Sequence, residues 1–257
     1  MTAPMTVERS KWLVRQPGPA RRMRLFCFPY AGGSAASFFS WQAALDPDIE
    51  VCALQLPGRG ARLGEPPERC IDALVAPLAR VIAMDDRLPF AFFGHSLGGL
   101  IAFELARYCQ RHGMVMPQRL IVSGSVAPRR RMLSRRLHEL DDAALIAALR
   151  EFNGVPAAVL DEPELMELML PTVRADFALA ANYQYRSGHR LALPLSVYGG
   201  FHDPHVRVDE LACWQDEATE PIALHHFAGD HFFIQGARER VLAQLKADLF
   251  SVVEQAA

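Results

Sequence analysis

The chain has no long apolar run. The uncharged stretch Leu88 to Phe103 has 16 residues and includes His95, Ser96 and three glycines. That is too short and too interrupted to cross a bilayer, so no membrane association is expected. The opening MTAPMTVERSKWLVR holds no apolar core of signal-peptide length. Charge of one sign is lacking as well. With 27 Lys and Arg against 29 Asp and Glu, the formal net charge is -2, and no whole-molecule field draws the protein to nucleic acid. Cysteine is scarce: Cys27, Cys52, Cys70, Cys109 and Cys213 are odd in number and scattered, without a CxxC pair. A disulfide framework is excluded on that pattern, and Cys27 in LFCF and Cys52 in VCAL read as small apolar packing residues. A protein of the reducing cytoplasm is expected. Internal repeats, low-complexity tracts and flexible linkers are also missing.

What is present is a core. About half of the 257 residues are apolar, enough for one large domain. Short apolar runs bounded by Gly or Pro alternate with longer helical patterns, which predicts βαβ units and a mostly parallel sheet. The expected strands are Arg24 to Phe28, Ile49 to Leu54, Phe90 to Phe93, Arg119 to Ser123, Leu195 to Tyr198 and Ile222 to Phe227, with a short edge strand within Lys11 to Arg15. Several are near-continuously apolar, as strands covered on both faces are. Helices are expected over Ile71 to Met84, Leu97 to His112 and Ala237 to Val253. The last repeats Val241, Leu242, Leu245, Leu249 and Val252 at helical spacing.

Residues 129–190 break the alternation. They read as successive helices, Asp141 to Phe152, Glu162 to Leu170 and Thr172 to Tyr185, with Asp141 and Asp161 as N-caps. A helical insertion after one strand of an open sheet is most simply a lid over its active edge. The expectation is a single domain, 1–257, of α/β class, carrying a lid over 129–190.

The chemistry begins at Phe90-Ala91-Phe92-Phe93, which runs into Gly94-His95-Ser96-Leu97-Gly98-Gly99 and then into the helical LIAFELARYC. This is G-x-S-x-G between a strand and a helix, the context in which a sharp turn exposes a serine above the sheet. Ser96 is the expected nucleophile, and the Leu97 N–H at the helix start is placed for an oxyanion. Ser34 and Ser37 lack the elbow, and Ser123 and Ser125 end a strand with no helix after it.

A serine hydroxyl needs a neighbouring base. Of nine histidines, His231 follows the last strand and the turn Ala228-Gly229-Asp230, where this chain order places the base. His225 and His226 lie inside that strand and serve packing. The acid is expected in the loop after Leu195-Ser196-Val197-Tyr198, at Asp203, with Asp209 the alternative; Asp230 adjoins His231 and points away. His202, Asp203 and His205 are too few to suggest a metal, and acyl transfer through serine needs no cofactor. Phe28-Pro29-Tyr30-Ala31-Gly32-Gly33 closes the first core strand, where a loop can supply a second oxyanion N–H.

FCFPYAGG, LQLPGRGAR with Glu65-Pro66, FGHSLGG, LPTVRADF and GDHFF together resemble the type II thioesterases of polyketide and nonribosomal peptide biosynthesis, from about Arg24 to Phe250. The resemblance implies an α/β-hydrolase that edits: it hydrolyses stalled or misprimed acyl groups from the phosphopantetheine arm of acyl or peptidyl carrier proteins. By position, Ser96, Asp203 and His231 match the family's triad, and Ala31 and Leu97 its oxyanion residues. A monomer that meets its carrier proteins transiently is expected.

The insertion is rich in Met and Leu, and such adaptable side chains suit an acyl chamber as well as plain packing. Met132, Met166 and Met169, with Phe232 beside the base, are the candidate substrate contacts. Arg129, Arg130, Arg131, Arg135 and Arg136 form the one dense basic cluster, either a solvated face or a site for an acidic carrier surface or the arm's phosphate. Arg59 and Arg62 are alternatives for that role, or pair with acids that brace their loop. The rival readings are an acyltransferase or lactone-forming enzyme, a small-ester hydrolase, and a binding module that has lost its chemistry.

Overall fold

The computed structural model describes residues 11–84, 88–131 and 136–253. Seven strands form one sheet: β1 (Leu13–Val14), β2 (Met23–Phe28), β3 (Ile49–Leu54), β4 (Phe90–His95), β5 (Leu120–Ser123), β6 (Leu195–Gly200) and β7 (Ala223–Phe227). Their spatial order is β1-β3-β2-β4-β5-β6-β7. β1 runs antiparallel on the edge beside β3, and all other pairs are parallel.

Burial on both faces explains why the central strands are largely apolar. Phe26, Phe28, Phe90, Phe92 and Val122 face one way, onto the helices Ile71–Ala83 and Leu97–Arg111. Leu25, Cys27, Ala91, Phe93 and Ile121 face the other, onto Val241, Leu245 and Leu249 of the closing helix Arg238–Val253. Both faces of the central strands are buried, so apolar residues fill both. Phe26 meets Phe90 and Phe92 edge-to-face at ring-centroid distances of 5.6 and 6.1 Å, a geometry that adds to area burial. All five cysteines are free. Burial pushes the Cys27 thiol well above its ordinary range and Cys52 up to about 12, so both behave as apolar filling.

The chain leaves β2 for β3 on one side and returns to β4 on the other. That reversal opens a crevice at the carboxyl ends of β2 and β4, where open parallel sheets bind ligands. Between β5 and β6 the described residues hold the helices Asp142–Phe152, Ala157–Leu160 and Pro163–Ala181, which bury a small core of their own around Leu145, Leu149, Leu160, Leu170 and Val173.

Two details of this insertion differ from the expectation. The helices Glu162 to Leu170 and Thr172 to Tyr185 are one, Pro163–Ala181, which continues through Pro171 and stops short of Tyr185. A proline inside a helix costs one hydrogen bond and about 3 kcal/mol; here the buried face of Leu170, Thr172, Val173 and Asp176 offsets it. Asp141 caps its helix, accepting from Ala144 N at 2.8 Å. Asp161 does not cap the next: the N-cap is Glu162, because Pro163 with its fixed φ takes the first helical position, and Asp161 pairs with Arg150 instead.

Candidate active site

Ser96 sits between β4 and the helix Leu97–Arg111 with φ 54° and ψ -114°, one of two positive-φ residues other than glycine among the described residues. A non-glycine residue held there costs about 1–3 kcal/mol. The turn is possible because a Cβ on Gly94 would lie 2.1 Å from Gly98 O, and one on Gly98 would lie 2.1 Å from Phe28 O. Only glycines allow the helix to approach the strands this closely. Ser96 N donates to Ser123 O at 2.8 Å, tying the turn to the neighbouring strand.

Asp203, in the loop after β6, is fully buried at its side chain. Its Oδ1 accepts from His205 N at 2.8 Å and from Val206 N at 3.1 Å, and its Oδ2 from His231 Nδ1 at 2.8 Å. With the proton on Nδ1, the opposite ring nitrogen of His231 is the basic one. His231 and Ser96 line the same chamber. The alternatives go elsewhere. Asp209 pairs with Arg207 at the surface. Asp230 accepts from Phe232 N at 2.9 Å and from Asn153 Nδ2 at 3.0 Å. His226 stacks on Phe201, and His225 packs against Tyr198.

His95 lies behind the site, its ring centroid 5.1 Å from that of His231. Burial, with His231 close by, holds His95 well below the ordinary imidazole value, so it stays neutral, with Nδ1 3.0 Å from Ser123 Oγ. Among the described residues no group of three His, Cys, Asp or Glu is placed to hold a metal ion.

The chamber has a volume of about 410 Å³ and is lined by Ala31, Ser96, Leu97 and His231, by the aromatic Phe152 and Phe177 of the insertion, and by Arg130 and Arg131. A neighbouring recess of about 40 Å³ reaches Ser96 and His231 and is walled by Leu149, Val155 and Phe232. Ala31 and Leu97 are thus brought to Ser96, and Phe232 to the recess. Met166 is not: it is buried within the insertion's own core, because its helical position faces the neighbouring helices. Met169 is half-exposed and lines neither space. Met132 and Arg135 lie outside the described residues.

The basic cluster is divided. Arg129 lies 3.4 Å from Tyr185 Oη and 4.0 Å from Glu217, and Arg136 pairs with Glu139. Arg62 pairs with Glu65 in its own loop at 2.6 Å. Sequence reasoning missed the role of Asp176, which lies in LPTVRADF. From the helix Pro163–Ala181 it forms a buried two-pronged pair with Arg59, both contacts at 2.7 Å. Removing one partner of such a pair costs about 3–5 kcal/mol. Tyr30 and His205 were also missed: the His205 ring stacks on Phe152 at 3.9 Å.

A serine at a glycine-lined strand–helix elbow, on an open parallel sheet, defines an α/β-hydrolase. Within that class the chain belongs to the thioesterase family, whose description, "Thioesterase domain", matches residues 23–249. It is 38% identical over 234 residues to the gramicidin S biosynthesis protein GrsT of Aneurinibacillus migulanus, covering 91% of each chain. Among solved structures, the type II thioesterase BorB of the borrelidin biosynthetic cluster superposes with TM-score 0.85 at 36% identity, covering 92% of this chain and 96% of that one. ClbQ of the colibactin NRPS/PKS pathway superposes with TM-score 0.86 at 33% identity, covering 92% and 100%. The protein is a hydrolase that acts on thioesters.

Proposed function

We propose that this thioesterase is a free-standing editor, one that clears acyl groups from the phosphopantetheine arm of carrier proteins in polyketide or nonribosomal peptide assembly. The observation that carries the reading is the elbow serine Ser96 in one chamber with His231, whose Nδ1 is held on buried Asp203. The relatives' origins in antibiotic and NRPS/PKS clusters support the carrier-bound substrate.

Ser96 Oγ attacks the thioester carbonyl while His231 Nε2 takes its proton. The carbonyl oxygen becomes an oxyanion held by the N–H groups of Ala31 and Leu97. The C–S bond breaks, and the pantetheine thiolate leaves with the proton from His231. Water then attacks the acyl-enzyme with His231 again as base, the bond from the acyl carbon to Ser96 Oγ breaks, His231 returns the proton to Oγ, and the free acid departs. Asp203 holds the ring in its tautomer and stabilises the imidazolium. Residues 129–190 act as a lid within a single domain, excluding water from all but this step, and the enzyme works as a cytoplasmic monomer.

The test is incubation of acyl-loaded carrier protein with wild type and Ser96→Ala, followed by intact mass measurement of both proteins. Loss of the acyl group to water with wild type alone is expected. Release by Ser96→Ala would remove the serine mechanism. An acyl-enzyme that persists until an alcohol or amine is added would make the protein an acyltransferase instead.

A further inference from the structure

The loop that carries Ala31 does not hold itself in place. The N–H of Gly32, the next residue, donates to Asp176 Oδ2 at 2.8 Å. The carbonyl of Gly33 accepts from Arg59 Nη1 at 3.0 Å, and the same guanidinium grips both oxygens of Asp176. Gly32 has φ +74°, and a Cβ there would lie 3.0 Å from Val173 Cγ2. Thr172 Oγ1, one residue before Val173, donates to Gly58 O at 2.5 Å, beside Arg59. One face of the helix Pro163–Ala181, presenting Thr172, Val173 and Asp176, therefore seats on two loops of the sheet edge at once. The Asp176 side chain is fully buried and that of Arg59 is 7% exposed.

These contacts fix the peptide plane that follows Ala31, and with it the direction of the chain at Ala31. They also settle an electrostatic conflict. A lone carboxylate one residue from a developing oxyanion would oppose it in a water-poor site. The Arg59 fork neutralises that charge while leaving an oxygen to accept from Gly32.

We propose that Asp176, neutralised by Arg59, is a positioning residue for the oxyanion loop, so that seating of the helix Pro163–Ala181 and assembly of the oxyanion hole are one event. The inference rests on the reading that Ala31 N–H receives the oxyanion. It places the dependence of catalysis on the insertion in a single buried carboxylate. An insertion helix that lifts away takes Asp176 with it, and the enzyme then has a nucleophile without its oxyanion hole.

Asp176→Asn keeps the size of the side chain and loses the charge pair, and Arg59→Lys keeps the charge and loses the fork. Thermal melting first establishes that each is folded; should one not fold, the other is read alone. Three measurements follow on a short acyl thioester of N-acetylcysteamine and on two analogues of it that are not hydrolysed. One analogue is an acyl trifluoromethyl ketone, whose carbonyl carbon takes a bond from Ser96 Oγ. The Ser96 proton passes to His231, and the ketone oxygen becomes the oxyanion. The other is the amide, which binds without reacting. The expected result is a kcat about tenfold to a hundredfold lower, KM within about twofold, and ketone affinity reduced by the same factor as kcat while amide affinity is kept. A purely structural pair would weaken ketone and amide alike or leave kcat unchanged, and either outcome overturns the proposal. Failure of the underlying mechanism looks different: Ser96→Ala would then bind the ketone as tightly as wild type does. If wild type discriminates ketone from amide and Asp176→Asn does so equally well, only the positioning role falls.

Discussion

At Ser96 the backbone stands at φ 54°, and the residue before it is a histidine buried behind the chamber. His95 is fully buried and held neutral by that burial, packed edge-on against Tyr30 and Phe233. In the unfolded chain the same ring takes a proton near pH 6.5. Its folded value is the lower one, so between the two values the unfolded state binds more protons. Stability therefore rises with pH through that window and falls on acidification below about pH 6.5. One group supplies a slope of at most about 1.4 kcal/mol per pH unit. Melting curves of wild type and His95→Asn between about pH 7 and about pH 5 should converge as the pH falls, because the variant lacks this slope; parallel curves would show that His95 ionises freely in the fold. Individual residues were legible where local chemistry decides them. Ser96 is marked by glycines whose absent Cβ atoms the elbow requires, and His231 and Asp203 by their loops after the last strands. Asp176 carried no such mark, since its partner Arg59 lies 117 positions away and nothing local distinguishes it from a surface acid.

The insertion is the element in which the sequence was least readable. Its apolar residues recur at helical spacing, but spacing alone does not say whether a face meets a substrate or another helix. Met166 went to the helix–helix core, and the chamber received Phe152 and Phe177 instead. The sheet was legible for the opposite reason: period-two runs buried on both faces admit one arrangement. Pro171 looked like a break, and tertiary burial outweighed it. The same element sets what fits beside Ser96. The recess of about 40 Å³ has Phe152 as one wall, which suits a short acyl group. Phe152→Ala should open the wall and raise kcat/KM for an octanoyl over an acetyl thioester by about tenfold or more. Phe152 is half-buried, so the loss of stability should stay below about 3 kcal/mol. Competition between the two thioesters, read by mass of the released acids, checks this. An unchanged ratio would place the acyl chain elsewhere in the chamber.

At the scale of the whole molecule, the strand reversal between β2 and β4 gathers Ala31, Ser96, Asp203 and His231 at the carboxyl ends of four strands. A net charge of -2 leaves recognition of an acidic partner to local charge. Arg130 and Arg131 line the chamber that Ser96 opens into, and among the described residues no carboxylate pairs with either. Burial pushes the Arg131 guanidinium down to about 10, still protonated at neutral pH. A partly buried cation left without a carboxylate gains from an anion that arrives with the substrate. The carrier-bound arm brings a phosphate, and a cysteamine thioester does not. Arg130→Ser combined with Arg131→Ser should therefore raise KM for acyl carrier protein by about tenfold, and by much less for the cysteamine thioester. Added salt should weaken carrier binding to wild type more than to the variant, since screening removes an attraction that the variant no longer has. Equal changes on both substrates would mean that the two arginines shape the chamber without reading the arm.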